Sequence, residues 1–371
     1  MREITKNGIK MTYPDEVAMA FNPFLCVLEG EDILFRAEAR VTDGGGGEVG
    51  VAMAAAHGGR LYLDLREYVQ AVFDGTPWGE VDYSAQASDA GTARAVSVEV
   101  KAYGFDSPLG ETFTFSCMAV WGALAPGERF QDGERVVTWF RNYPFSIGIY
   151  AGGGTDVLYG FNGKRSALLT LGAKGIYNLV LGRGGECGGW LDVWEFSGSV
   201  GHGVFDKTFD TTFSYSINGK SERKIRVRLE CPCYDQGVYL RWIDRHGFYC
   251  YYLFKRGEAR RKVDAESEFQ RDSPLAYDEP RGRMRGIGRR LGYSRADTLT
   301  IAAPLVDPPT FDFLQDLTTS PVVDMYMGVD SQGSAKWLSV AVAPGTYAKS
   351  GGALQDFILS VTLPDVPLQS L

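Results

Sequence analysis

The residues best equipped for chemistry are few and scattered. Six cysteines (Cys26, Cys117, Cys187, Cys231, Cys233 and Cys250) and three histidines (His57, His202 and His246) are spread over 371 residues. Cys231 and Cys233 form the single close thiol pair. A structural zinc site needs further thiolate or imidazole ligands, so Cys187, Cys250 or His246 would have to converge on that pair. Zinc modules usually carry two Cys-x-x-Cys-like pairs; only one close pair stands here, and no metal is assigned. Cys26, Cys117 and Cys250 sit in apolar runs (FLCVL, FSCMAV, YCYYL), where a thiol packs as a small hydrophobe.

Other chemistries fail on context. Gly182, Gly184, Gly185 and Gly188 follow a strand pattern, as a dinucleotide loop does. That loop requires a helix directly after it to hold the pyrophosphate, whereas residues 190–196 read as a strand, so a hairpin loop is expected. No histidine has a Ser or Cys partner at a triad spacing. Asp192 with Glu195, or Asp206 with Asp210, has the residue types of a glycosidase pair, but an acidic chain offers many such pairs. Walker A, HExxH, GxSxG and EF-hand spacings are absent. The sequence therefore assigns no catalytic residue and no cofactor, and predicts a protein that is not an enzyme. The tryptophans are expected mainly in a core. Trp190 and Trp194 share strand parity, face one side, and are candidate interface or sugar-stacking residues.

The elements that would carry these residues are strands. The chain has 46 Gly and 13% aromatic residues, which favours turn-rich β structure. The spacing predicts a mainly β protein: several β-sandwich-like domains in series with one or two short helices. Residues 1–124 read as a first sandwich. Strands at 19–29, 33–41, 49–56, 95–103 and 112–121 accompany a helix at 64–73, and Gly44 to Gly47 form a hairpin tip. Leu65, Tyr68, Val69, Val72 and Phe73 make one apolar stripe along that helix, and Asp64 with Glu67 has capping-box spacing. Residues 125–219 show short strands with turn signals at sandwich spacing. Residues 220–371 read as a C-terminal β-rich module. It holds an aromatic hairpin around Arg245, His246 and Gly247, a polar Arg-rich stretch at 257–293 read as two irregular strands or a long loop, and a helix at 310–320 stopped by Pro321. No apolar run reaches the length of a membrane helix. The first fifteen residues lack a signal-peptide core, so a reducing compartment is expected.

Charge is segregated. The formal net charge is −8, yet residues 220–295 hold 19 Lys and Arg against 11 Asp and Glu, leaving 19 against 35 elsewhere. Arg281, Arg283, Arg285, Arg289 and Arg290 are the densest cluster. No nucleic-acid motif frames them, so nucleic acid is not expected as a partner. Their alternatives are a solvated loop or a basic face that meets an acidic one in assembly.

Three runs carry a likeness: residues 13–23 (YPDEVAMAFNP), 137–145 (VTWFRNYPF) and 239–247 (YLRWIDRHG). Together with a short helix, Ser320 and Pro321, a Trp337-containing strand and a last strand, the chain resembles structural proteins encoded in tailed-phage and prophage clusters of gut bacteria. The resemblance implies a tail or baseplate component that assembles with itself and with other tail proteins, first in the bacterial cytoplasm and then in the virion tail. Such a family is defined by assembly, so no site residue is carried over. A carbohydrate-binding or adhesive β-sandwich protein, with a glycan as ligand, is the alternative.

Overall fold

The structure is a computed structural model. It describes residues 1–30, 34–74, 80–104, 108–130, 135–161, 164–182, 209–220, 222–230, 237–265, 268–269, 277–278, 280, 283–284, 289–290 and 292–368. The protein is mainly β, with several β-sandwich-like domains in series and two short helices, as turn spacing and composition predict.

The first elements are β1 (Arg2–Lys6), β2 (Ile9–Tyr13), β3 (Val17–Met19), β4 (Leu25–Glu29), β5 (Arg36–Asp43), β6 (Glu48–Ala55), β7 (Arg60–Asp64), α1 (Arg66–Ala71), β8 (Ala87–Asp89), β9 (Ala93–Tyr103) and β10 (Pro108–Val120). Two sheets, β1-β2-β4-β7 and β3-β10-β9-β5-β6, enclose one core. Period-two alternation builds it. Val96, Val98 and Val100 of β9 and Phe113, Phe115 and Cys117 of β10 point inward. Thr112, Thr114 and Ser116 alternate with them on the outer face. The strand expected at 19–29 is divided: Asn22 leaves the ladder to bond both backbone groups of Leu124 at 2.8 Å, and Pro23 has no N–H to donate. The Gly44 to Gly47 tip closes on Asp43, whose Oδ1 accepts from the N–H groups of Gly45 (2.9 Å) and Gly47 (2.7 Å). Helix α1 is shorter than the expected 64–73; of the predicted stripe it buries Val69, and Leu65 at its N-cap and Phe73 just beyond its end are buried as well. Its capping box does not form. Leu65 is the N-cap residue, and Asp64 Oδ1 instead accepts from Arg66 N–H at 3.0 Å and Phe24 N–H at 3.3 Å.

Next come β11 (Arg135–Phe140), β12 (Phe145–Ala151), β13 (Thr155–Phe161), β14 (Lys164–Leu171), β15 (Gly175–Gly182), β16 (Phe209–Ile217) and β17 (Arg223–Glu230). They form the sheets β11-β17-β16-β13-β14 and β12-β15-β8. The β11–β17 pair is parallel. All eight residues of β15 are buried, the polar Asn178 among them. The strand expected at 190–196 lies outside the described residues.

The remaining elements are β18 (Val238–Ile243), β19 (Tyr249–Ala265), β20 (Glu268–Phe269), β21 (Tyr277–Asp278), β22 (Arg283–Met284), β23 (Arg289–Arg290), β24 (Tyr293–Val306), α2 (Pro308–Leu317), β25 (Val323–Val329), β26 (Ala335–Ser339), β27 (Ala341–Val342) and β28 (Gln355–Thr362). A seven-stranded sheet has the order β26-β25-β18-β19-β24-β28-β27. Helix α2 starts where its residues dictate. Asp307 accepts from Thr310 N–H at 3.0 Å, and Pro308 occupies the first turn, where no N–H is needed. The chain divides into two compact units. One comprises Met1–Pro232, Arg241–Tyr252 and Met327–Lys336; the other comprises Cys233–Leu240, Leu253–Tyr326 and Trp337–Leu371.

Candidate functional site

The Arg-rich stretch is more regular than its sequence suggests. Strand β19 continues to Ala265, paired in register with β24 from Lys255 opposite Ala302 to Ala265 opposite Tyr293. Two short ladders lie farther along: Glu268 opposite Arg290 with Phe269 opposite Arg289, and Asp278 opposite Arg283. Arg283, Arg289 and Arg290 are thus placed on strands by their backbone, two of them facing an acidic residue in register. Arg281 and Arg285 lie outside the described residues, as do Trp190 and Trp194. The candidate interface residues are therefore only partly located.

All residues from 255 to 265 are exposed. With both faces of this stretch of β19 exposed, no apolar alternation announces the strand. Its charges pair locally. Arg261 Nε and Arg295 Nε each donate to Asp297 Oδ1 at 2.9 Å, Arg260 meets Glu258 at 2.9 Å, and Lys262 meets Asp264 at 2.7 Å. Donation by Arg295, with further help from Arg261, holds the Asp297 carboxyl down at about 2. Apart from the half-buried Arg295–Asp297 pair these contacts are solvent-exposed, so they set geometry more than stability. A β-bulge separates ribbon from sheet between Arg256 and Ala259. Gly257 lies in it, where a Cβ would come within 2.8 Å of the Thr300 carbonyl oxygen.

A second cluster occupies the β18–β19 turn, within the first unit. Asp244 Oδ1 accepts from the N–H groups of His246 (2.9 Å) and Phe248 (2.8 Å), and Cys250 Sγ lies 3.7 Å from Oδ2. Burial pushes the Asp244 carboxyl upward against these donors, and burial pushes the His246 imidazole downward against the pull of Asp244. Thr92 Oγ1 donates to the Gly247 carbonyl at 2.7 Å, and Arg245 pairs with Glu128 at 3.1 Å. The arrangement locks a turn. It places a thiol, a carboxyl and an imidazole together, but the Asp244 carboxyl is committed to backbone donors. Sequence reasoning missed Asp244; its only signal is an Asp three residues before a Gly, the pattern of a side chain capping its own turn.

The other candidates are accounted for individually. Among the described residues no group of three or more His, Cys, Asp or Glu side chains is placed to hold a metal ion. Cys26 and Cys117 are buried free thiols and Cys250 is a half-buried one, while Cys187, Cys231 and Cys233 lie outside the described residues. His57 sits in the turn that bridges to Arg60. His202, Asp192, Glu195 and Asp206 lie outside the described residues, and Asp210 is placed on β16 opposite Arg228. Of the glycine loop, only Gly182 is described, at the end of β15. Trp139 and Trp242 are buried, as expected of core tryptophans. A shallow depression of about 440 Å³ lies on the β5-β9-β10 face, lined by Arg40, Thr42, Ser97, Glu99, Thr114 and Ser116 among others. It is an open, hydroxyl-rich sheet surface with no convergent acid, base or nucleophile.

No protein-family model matches the chain, and no curated protein matches it. Among solved structures it is similar to the periplasmic chaperone SfaE at 9% identity over 60% of this chain and 100% of that one, with a TM-score of 0.21. It is also similar to a protein of unknown function from Porphyromonas gingivalis at 11% identity over 60% of this chain and 100% of that one, with a TM-score of 0.16. At these TM-scores neither likeness bears on fold or function.

Proposed function

We propose that this chain is a non-enzymatic structural component of a phage or prophage tail or baseplate, acting through protein–protein assembly. The observation that carries the reading is the charged ribbon of β19 and β24, whose β19 half is exposed at every residue from 255 to 265. A lone two-stranded ribbon is marginal in water, and a partner's surface would supply the missing contacts. The serial sandwiches support the same reading, because each open sheet ends in edge strands able to pair with a neighbour. Among the described residues no helix is long and apolar enough to cross a membrane. The tail role further rests on the resemblance carried by residues 13–23, 137–145 and 239–247.

The test is genetic and compositional. Particles purified from the native host after prophage induction should contain the chain by mass spectrometry, and deletion of its gene should leave particles with absent or truncated tails under the electron microscope. Intact, infectious particles from the deletion strain would sink the proposal.

A further inference from the structure

The sequence contains three Asn-Gly pairs, at 7–8, 162–163 and 218–219. The second lies outside the described residues. The other two sit in exposed turns between neighbouring strands and share a conformation. Asn7 and Gly8 have φ of 41° and 81°, and Asn218 and Gly219 have φ of 49° and 66°. Such left-handed pairs occupy the centre of a type I′ turn. Asparagine before glycine also carries a reaction of its own. The glycine nitrogen attacks the asparagine Cγ to close an imide ring, and glycine has no side chain to hinder the approach.

The two turns hold that amide in opposite ways. Asn218 is bound twice by one residue of β13. Its N–H donates to the Asp156 carbonyl at 2.8 Å, and its Oδ1 accepts the Asp156 N–H at 2.7 Å. The side chain takes the place of the next backbone carbonyl in the β13–β16 ladder, beyond the Val157–Ile217 pair. Oδ1 is the oxygen that gathers charge when Cγ becomes tetrahedral, and an N–H already aimed at it stabilises that charge. At Asn7 the bond is on the other atom: Nδ2 donates to the Glu111 carboxylate. A carboxylate on the amide N–H pushes electron density toward Cγ and opposes attack there. Both asparagines must leave the left-handed conformation to react, so that cost is shared and the amide's partners make the difference.

We infer that Asn218 is a self-modification site, converting to aspartate and isoaspartate in the folded chain ahead of Asn7. The Gly219 N–H bond breaks and its nitrogen bonds to Asn218 Cγ. The Cγ–Nδ2 bond breaks, and the amide group leaves with that proton as ammonia. Water then opens the imide. Its hydroxyl ends on Cγ, giving aspartate, or on the main-chain carbonyl carbon, giving isoaspartate, and its remaining hydrogen goes to the freed nitrogen. Water is the only co-reactant. Aspartate keeps an acceptor for the Asp156 N–H. Isoaspartate adds a methylene to the main chain, so the Lys220 N–H, now 2.9 Å from the Ile217 carbonyl, loses its place and the turn into β17 loosens. The inference is independent of the assembly role proposed above.

Peptide mapping by mass spectrometry of the full-length chain, aged in warm and mildly alkaline buffer, tests this. The peptide holding Asn218 should gain about one mass unit, and electron-transfer fragmentation should place isoaspartate at that residue. In the native protein Asn218 should convert on the order of tenfold faster than Asn7. In denaturant, where neither amide keeps its partner, the two rates should draw together. Glu111→Ala should speed conversion of native Asn7 several-fold, with an unchanged melting temperature to show that the variant folds. A native rate at Asn218 no greater than that at Asn7 overturns the inference, as does the same ratio of rates in native and denatured chains. A folded Glu111→Ala variant whose Asn7 converts at the wild-type rate overturns it as well.

Discussion

Gly122 lies directly against the backbone of Arg245: a Cβ added at Gly122 would come 2.2 Å from the Arg245 carbonyl oxygen. That same oxygen accepts the N–H of Ala123 at 3.0 Å. The segment after β10 and the β18–β19 turn are therefore in backbone contact, and only a residue without a side chain fits. The turn's own Gly247 makes the matching concession, with φ at +80° and a virtual Cβ 2.7 Å from Val120 Cγ1. Gly122→Ala should cost about 1–3 kcal/mol through overpacking. Chemical denaturation followed by tryptophan fluorescence will measure it, and a midpoint equal to that of the wild type would show that the turn can give way.

The same turn makes stability depend on pH. Burial holds the His246 imidazole below its ordinary value of 6.5, with Asp244 pulling the other way. A depressed histidine contributes stability above its unfolded value, lost as the pH falls through that window. Asp244 acts oppositely. Burial raises its carboxyl from the ordinary 3.8, so its contribution is greatest at low pH and is lost as the pH rises through the folded value. His246→Gln should therefore flatten the fall in stability between neutral pH and about pH 5, and Asp244→Asn should remove a gain in stability that the wild type shows as the pH falls toward the ordinary carboxylate value of 3.8. Melting temperatures across that range decide the matter; a His246→Gln profile parallel to that of the wild type contradicts the assignment.

Burial pushes the thiols of both Cys26 and Cys117 up to about 12, the former with a further push from the latter. Only the thiolate is nucleophilic, and three pH units leave it roughly a thousandfold scarcer than in a free cysteine. Iodoacetamide should leave both residues unmodified in the native protein and alkylate both in denaturant. Peptide mapping checks this, and rapid native labelling of either would mean that the first sandwich opens.

The α2 cap offers a local measurement. Asp307 accepts the Thr310 N–H at 3.0 Å at the start of a helix whose Phe311, Leu314 and Leu317 are buried. Asp307→Ala removes the acceptor without touching the packed face. The expected cost is about 1 kcal/mol, and Asp307→Asn should recover most of it because asparagine caps comparably. Equal losses in both variants would mean that the carboxylate acts elsewhere than at the cap.

The legibility of these features follows burial. Where one face packs and the other meets solvent, residue types alternate, and strands such as β9, β10 and β17 can be read directly. On β10 the outer face even changes from Thr112, Thr114 and Ser116 to Met118 and Val120, where a second apolar cluster with Ile176 and Phe248 begins. The ribbon half of β19 escaped because both of its faces are wet, so KRGEARRKVDA carries no period. Strand β13 escaped because Leu158 is exposed on its outer face and Gly160 interrupts the run, so no clean alternation shows. Helix α2 was legible from the stop at Pro321, although it starts two residues earlier than 310 and ends at Leu317, whereas the α1 cap misled because Asp64 turned its carboxyl to Arg66 and Phe24. The Asp244 turn needed tertiary information. Its burial comes from Gly122, Thr92 and Glu128, which are more than a hundred residues away in sequence.

A buried hydroxyl chain joins β12, β19 and the turn before β8, far apart in sequence, within the first unit. Tyr251 OH lies 2.6 Å from Ser146 Oγ and 3.1 Å from Tyr83 OH. Burial raises the Tyr251 hydroxyl well above its ordinary range, so it stays protonated and gives one hydrogen while accepting another. Tyr251→Phe preserves the ring, which packs on Phe145 with centroids 5.3 Å apart. The loss therefore isolates the hydroxyl and should amount to about 1–3 kcal/mol, because a buried Ser146 forfeits this bond. Tyr83→Phe breaks the longer of the two contacts to Tyr251 and should cost less. If the three hydroxyls act as one network, the double variant will cost less than the sum of the singles, with a coupling of roughly 0.5–3 kcal/mol. Strict additivity would show that Tyr83 and Tyr251 are neighbours that contribute separately.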